Sequence, residues 1–383
     1  MAKMETASSE HLSSSTLFPI LPSGPTGLAR LAAEATHADD GHLIEFRAMT
    51  ARSILNKSIS KRQLSLAYSI NPFRGCEFAC RYCYARYTHE FLQPSPINTP
   101  PPGTLDIPQQ PWALAFEREI YLKENAAWLL EQELRTLAPR LAANQDEIAI
   151  GTATDPYQPI ERRVGITRSI LEVFARQQGL RIGLITKSSL ITRDIDLFQQ
   201  IAARNTLVLH ITITTTDAAL ARKLEPRAPR PDLRFAAVKK LRAAGLTAGI
   251  LCCPLLPGIN DGVPALDALA ARAASVNASF LGSNPLFLKS CSRPTWLSFV
   301  REHFPDLHPE YQRRYATADF ADSSYRNRMA SVVRQLCHKH SLGERSSDAL
   351  LTRHVYAAAG PPRKSPATAR SVQSAQTMLF SAA

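Results

Sequence analysis

The chain has 383 residues, 45% hydrophobic and 20% charged, enough for one large domain or two ordinary ones. It contains no run of about 18 uninterrupted apolar residues, and its N-terminus lacks a basic start followed by an apolar block, so neither a transmembrane helix nor a secretory signal is predicted. The net charge of +12 leaves nucleic acid open as a partner, although the basic residues are scattered rather than gathered in one run. Seven cysteines without a signal fit a reducing compartment better than a disulfide framework, so a cytoplasmic protein is expected.

Residues 1–45, rich in Ser, Thr, Pro and Ala, read as a flexible arm. A core follows over 46–290, opening with the strand LAYSI and then NPFRGCEFACRYCYAR. Seven prolines in 94–111 exclude a helix there and predict a long loop. FEREIYLKENAAWLLEQELRTLA reads as one amphipathic helix, with Glu119 and Lys123 as an ion pair on its solvated face. Five more strands are predicted in EIAIGTAT, RIGLIT, LVLHITITT, TAGILCCPLL and ASFLGS. Helices separate them in TRSILEVFARQQG, TRDIDLFQQIAARN, RFAAVKKLRAAG and ALDALAARAASV. Strands alternating with helices mean repeated βαβ units and a parallel sheet, either an incomplete β/α barrel or an open doubly wound sheet. Residues 291–356 read as a helical C-terminal extension and 357–383 as a disordered tail.

Parallel β/α folds place their sites at the carboxyl ends of the strands. The segment Cys76–Cys83 follows the first strand, TDPYQP the second, TKSS the third, TTTD the fourth and PLLPG the fifth. All five are predicted to meet on one rim.

Three thiols in a short loop chelate zinc or an iron–sulfur cluster. A zinc site closes with four ligands, yet no second CxxC completes one; His89, or the Cys337, His338 and His340 group, would have to. The spacing Cys-x3-Cys-x2-Cys, with Tyr82 before the last cysteine, resembles that of radical S-adenosylmethionine (SAM) enzymes. The resemblance implies a partial (β/α)6 TIM-type barrel. It also implies that Cys76, Cys80 and Cys83 hold three irons of a 4Fe–4S cluster and leave the fourth for the amine and carboxylate of SAM. Reductive cleavage of SAM would then give a 5′-deoxyadenosyl radical that abstracts hydrogen from a substrate, with a reductant such as flavodoxin or ferredoxin as electron donor.

Over roughly residues 66–290 the finer resemblance is to the spore photoproduct lyase-like branch, through NPFRGCEFACRYCYAR, GTATDPYQPIE, ITKSSLITRD, ITITTTD, LEPRAP and AGILCCPLLPGIND. It implies that Tyr82 lies beside the adenine of SAM and that Thr154 and Lys187 approach the methionine carboxylate. Thr212 and Glu225 would serve its amine or ribose. The branch returns a hydrogen atom to its product from a cysteine after the second strand; here Thr152 aligns there, and an O–H bond is too strong for that role. Lesion repair on DNA or other nucleic acid is therefore kept as an alternative, beside a noncatalytic iron–sulfur or zinc protein.

Adjacent Cys252 and Cys253 must point to opposite sides of their strand, one of them inward as a substitute hydrogen donor or substrate contact, with Cys253 the candidate. Asp155, Glu161 and Tyr157 read as turn, cap and pocket-wall residues with a substrate role open, and Asp217 as a helix N-cap. His89 is expected to order its own loop, and Cys291 and Cys337 to be structural. The substrate is not legible in the sequence.

Overall fold

A computed structural model describes residues 44–57, 66–92 and 109–344. The arm expected over 1–45, apart from Ile44 and Glu45, most of the proline-rich loop, residues 345–356 of the expected C-terminal extension and the C-terminal tail lie outside the described residues. The strands are β1 (Glu45–Ala48), β2 (Asn56–Lys57), β3 (Leu66–Ile70), β4 (Phe73–Arg74), β5 (Glu119–Leu122), β6 (Glu147–Ile150), β7 (Arg181–Thr186), β8 (Thr206–Thr212), β9 (Ala248–Leu255), β10 (Phe280–Pro285) and β11 (Gly343–Glu344). The helices are α1 (Pro111–Ala115), α2 (Ala126–Asn144), α3 (Glu161–Val164), α4 (Ile166–Ala175), α5 (Ile195–Ala202), α6 (Ala218–Leu224), α7 (Pro231–Ala243), α8 (Val263–Ser275), α9 (Arg293–His303), α10 (His308–Arg314) and α11 (Ser323–Lys339).

The main sheet runs in the order β11-β10-β9-β8-β7-β6-β3-β2. Its pairs are parallel from β3 to β11, in registers such as Ile182↔Leu207 and Leu184↔Leu209, and only β2 joins antiparallel. The six strands read from the sequence are the six inner ones. Ile148, Ile150, Ile182, Leu184, Leu207, Leu209 and Ile211 are all buried, because helices cover one face while the other closes on the barrel interior. The fold is a partial TIM-type barrel, with β2 and β11 at its two open edges.

One predicted helix is two elements. FEREIYLKEN supplies β5, which pairs with β1 and β4 in a separate three-stranded sheet, and α2 starts only at Ala126. Ile120 and Leu122 alternate inward, a period of two that the helical reading missed. Glu119 and Lys123 accordingly form no ion pair: Glu119 pairs with Arg47 at 3.5 Å, and Lys123 is buried with its ammonium on Asn71 O at 2.8 Å. Pro111, placed in the loop from sequence, opens α1 at a first-turn position where a missing N–H costs nothing.

After β10, α11 packs against β10 and α8, and Trp296 of α9 is fully buried. Asp217 caps α6, accepting from Ala219 N and Leu220 N. All seven cysteines are free thiols. Cys337 is on the buried face of α11 with its thiol toward Leu281 O, and Cys291 sits in a small cluster with Tyr87 and Trp112. His340 and Lys339 pair with Asp267 at the helix end. Among the described residues no helix is long and apolar enough to cross a membrane.

Candidate functional site

Between β3 and the 3-10 turn at Tyr84–Leu92, the chain makes a tight loop carrying the three cysteines. Gly75 opens it at φ +89°, where an added Cβ would stand 2.7 Å from Glu119 O and 2.9 Å from Phe116 O. Only glycine accepts both the left-handed backbone and that approach. Cys76 N donates to Phe116 O and Arg81 N to Leu224 O, tying the loop to the segments ahead of β5 and after β8.

Buried polar groups secure the rest. The Arg86 guanidinium, fully buried, pairs with Glu117 at 2.6 Å and donates to Ala113 O and Cys80 O. Glu77 N donates to Gln158, and the Glu77 carboxylate accepts from Ile160 N. Ser292 in the C-terminal extension donates to Cys83 O at 2.7 Å. The sequence reading singled out none of Arg86, Glu117, Gln158 or Ser292. Arg86 does lie within the quoted cysteine segment, and its neighbours come from distant parts of the chain.

The three thiols face a cavity with about 1140 Å³ of empty space, part of it open to solvent. Its wall also carries Tyr82, Thr154, Lys187, Thr212 and Cys253. Tyr82 belongs to the cysteine loop, and the other four stand at or near the carboxyl ends of β6, β7, β8 and β9. Of the five predicted rim segments, residues of TDPYQP, TKSS and PLLPG join the cysteines on this wall, whereas TTTD does not line it. Burial raises the pKa of all three thiols, that of Cys80 to about 12. Thiols held protonated by burial become thiolates when a metal supplies compensating charge. Among the described residues, no three His, Cys, Asp or Glu side chains converge as one metal ion requires.

Lys187 is the cavity's partly buried cation. Burial works against its charge, but Cys80 and Glu225 outweigh burial and raise its pKa above the usual lysine value. Its ammonium lies 5.7 Å from the centre of the Tyr82 ring, and that ring stands edge-on to Trp296 at 6.4 Å. Thr154 donates to Gly75 O at 2.5 Å, so its hydroxyl also fixes the glycine turn.

Glu225 lies outside the cavity wall, behind Tyr82. Its carboxylate accepts from the Tyr82 hydroxyl and from Thr214, and pairs with Arg234 at 2.5 Å. Burial would raise its pKa, but Arg234 and Lys187 hold it below the usual carboxylate value. Arg234 continues to Thr212 O and Pro229 O.

Asp155 lines the cavity and clamps β6 to β7, accepting from Thr186 Oγ1 at 2.5 Å, Lys187 N at 2.7 Å and Tyr157 N at 2.9 Å. Burial nevertheless keeps its pKa raised. Tyr157 is a core residue rather than a pocket wall: it is fully buried and donates to Asp194 at 2.8 Å. Glu161 caps the turn at Thr167 N and pairs with Arg193 at 2.7 Å. His89 bonds Glu119 O at 3.0 Å and packs edge-on to Phe116 and Tyr121.

Cys253 is partly exposed on the cavity wall, whereas Cys252 is buried with its thiol toward Thr214 O. Thr152 lines the same cavity, its hydroxyl paired with the Asn71 amide and its carbonyl accepting from the Tyr84 hydroxyl.

The fold is similar to that of spore photoproduct lyase complexed with dinucleoside spore photoproduct: TM-score 0.53, 15% identity, 84% of each chain covered. An uncharacterized protein of Mycobacterium tuberculosis is 31% identical over 299 residues, 78% of this chain and 82% of the relative. One of Methanocaldococcus jannaschii is 27% identical over 194 residues, 51% of this chain and 62% of the relative. The family model for the Radical SAM superfamily matches residues 70–269, which span the cysteine loop and the cavity-lining ends of β6 to β9. By that match and the mycobacterial similarity, the chain belongs to the radical SAM superfamily.

Proposed function

We propose that this protein is a radical SAM enzyme whose cluster rests on Cys76, Cys80 and Cys83 and whose SAM site is the cavity they face. The observation that carries the reading is that three buried thiols share one cavity with Lys187, Tyr82, Thr154 and Thr212. A structural zinc knot would need a fourth ligand, and the candidates for it are engaged elsewhere: His89 bonds Glu119 O, and His340 pairs with Asp267 at the end of α11. That favours the cluster, which takes one cysteine per iron.

When bound, the reduced cluster supplies the electron that cleaves SAM to the deoxyadenosyl radical, which abstracts hydrogen from the substrate. The chain's own part is positioning. Lys187 offers an ammonium to the methionine carboxylate, with Asp155 holding its backbone. Tyr82, fixed by Glu225 and Trp296, presents an aromatic wall to the adenine, which assigns Glu225 to bracing that wall rather than touching SAM. Thr212 supplies a hydroxyl at the fourth strand end. Cys253 is the thiol on this wall, apart from the three cluster cysteines, able to return a hydrogen atom; its thiyl radical would then need re-reduction by the external flavodoxin- or ferredoxin-type donor.

The substrate is left at its class. The lyase-like fold and the positive charge favour a nucleic acid, while Thr152 in place of a thiol argues against the lyase's own reaction. The reading is tested by anaerobic reconstitution, then dithionite and SAM, scoring iron, sulfide and 5′-deoxyadenosine beside Cys80→Ala. About four irons per chain, with deoxyadenosine from the wild type alone, is the expected result. Zinc in place of iron, or a cluster that never cleaves SAM, overturns it.

A further inference from the structure

A second recess of about 530 Å³ adjoins the first, and Ala153 lines both. Its wall takes Asn71 and Arg74 from the segment ahead of the cysteine loop, Thr88 from the turn after that loop and Lys123 from just after β5. Lys123 is only 9% exposed, its ammonium held by Asn71 O at 2.8 Å. The Arg74 guanidinium donates to Thr88 O at 2.6 Å. Among the described residues no Asp or Glu lines the recess, and neither cation has a carboxylate within ion-pair distance.

Two cations beside one another with no counter-charge are an unfavourable arrangement to bury. The strain is visible on Lys123, whose ammonium burial and then the like charge of Arg74 bring down to about 8. An anion between them would offset both effects. The Ser69 hydroxyl on the recess wall is a donor suited to oxyanion oxygens, and the Asn71 amide keeps one N–H beyond its bond to Thr152, whereas the Thr88 hydroxyl already donates to Ala85 O. Asn71 joins the two spaces directly: its side chain meets Thr152 on the wall of the first cavity and accepts from Ala153 N at 2.8 Å.

We infer that this recess is an oxyanion subsite, in which Lys123 and Arg74 seat the phosphoryl or carboxylate group of a substrate whose reacting carbon lies in the adjoining cavity. The link to a reacting carbon rests on the radical SAM reading; the anion site stands on its own residues.

Inorganic phosphate and acetate, titrated separately at constant ionic strength into the cluster-reconstituted protein, test it by calorimetry beside Lys123→Met and Arg74→Gln. The wild type is expected to bind one of the two anions, and each variant to bind it about tenfold more weakly or worse, as loss of a charged hydrogen bond implies. Preference for phosphate assigns a phosphoryl group, and preference for acetate a carboxylate. A wild type that binds neither, or variants that bind as well as wild type, overturns the proposal. If Lys123→Met does not fold, wild-type crystals soaked in selenate decide: an anomalous peak at Lys123 supports the subsite, and its absence there overturns it. Deoxyadenosine formation is scored separately, so failure of the cofactor reading is told apart from failure of the anion site.

Discussion

The Tyr82 hydroxyl donates to the Glu225 carboxylate across 143 residues of sequence, and that carboxylate also pairs with the buried Arg234. The aromatic residue inside the cysteine motif is thus held from behind by the segment that follows β8. Glu225→Gln keeps the size but leaves Arg234 as a buried, unpaired charge. A loss of about 3–5 kcal/mol in urea unfolding is expected, partly recovered by Glu225→Gln with Arg234→Met. A loss below about 1 kcal/mol would show that the pair is not a buried ionic lock.

Stability should fall with acidity through His89. Burial lowers its pKa from 6.5 to about 4, with the Glu119 carbonyl only partly opposing. As pH drops below 6.5 the unfolded chain gains a proton that the folded chain refuses until about 4. Stability present above 6.5 is therefore lost across that window, by up to about 3 kcal/mol. Denaturation midpoints from pH 7 to 4, wild type against His89→Gln, check this, and parallel profiles would refute it. Glu225, with its folded pKa lowered, acts in the same direction at still lower pH.

Gly75→Ala combines a left-handed φ of +89° with contacts under 3 Å to two backbone carbonyls. Backbone strain alone costs about 1–3 kcal/mol, and neither carbonyl can retreat without pulling on β5 or its approach. The expected outcome is a lower Tm together with reduced iron retained after reconstitution. Wild-type values for both would mean that the loop relaxes freely.

Lys187→Met removes the cavity's ammonium while keeping much of its length. Weakening of SAM binding by about tenfold or more is expected in equilibrium dialysis. Unchanged affinity would remove Lys187 from the site.

Cys253 and Cys252 should differ sharply toward iodoacetamide, since one is partly exposed on the cavity wall and the other is buried. Peptide mapping of the reconstituted protein is expected to find Cys253 alkylated first and SAM slowing that reaction. Equal labelling, or no protection by SAM, would place Cys253 outside the SAM cavity.

The six inner strands were legible because parallel strands buried on both faces read as short β-branched runs between amphipathic helices. The β5 error shows the limit of that signal. EIYL carries a two-residue alternation too short to stand against the helical pattern of the residues around it, and its partner β1 lies about 70 residues upstream, beyond any local window. Lys123 was misread for the same reason: placed on a helix it is solvated, but after a strand it is buried.

The sequence by itself determined the chemistry on offer: three clustered thiols, a lysine and hydroxyls at strand ends, and a run of parallel βα units to hold them, all of it local in residue type and spacing. Only the tertiary structure decided which of these meet. Glu225 braces Tyr82 from outside the cavity, Tyr157 belongs to the core, and Cys253 rather than Cys252 faces the open space. It also set Arg74 and Lys123 on one recess wall that carries no carboxylate among the described residues. Such relationships depend on strand register and on which side chains burial leaves facing one another, and neither is written in any single stretch of the chain.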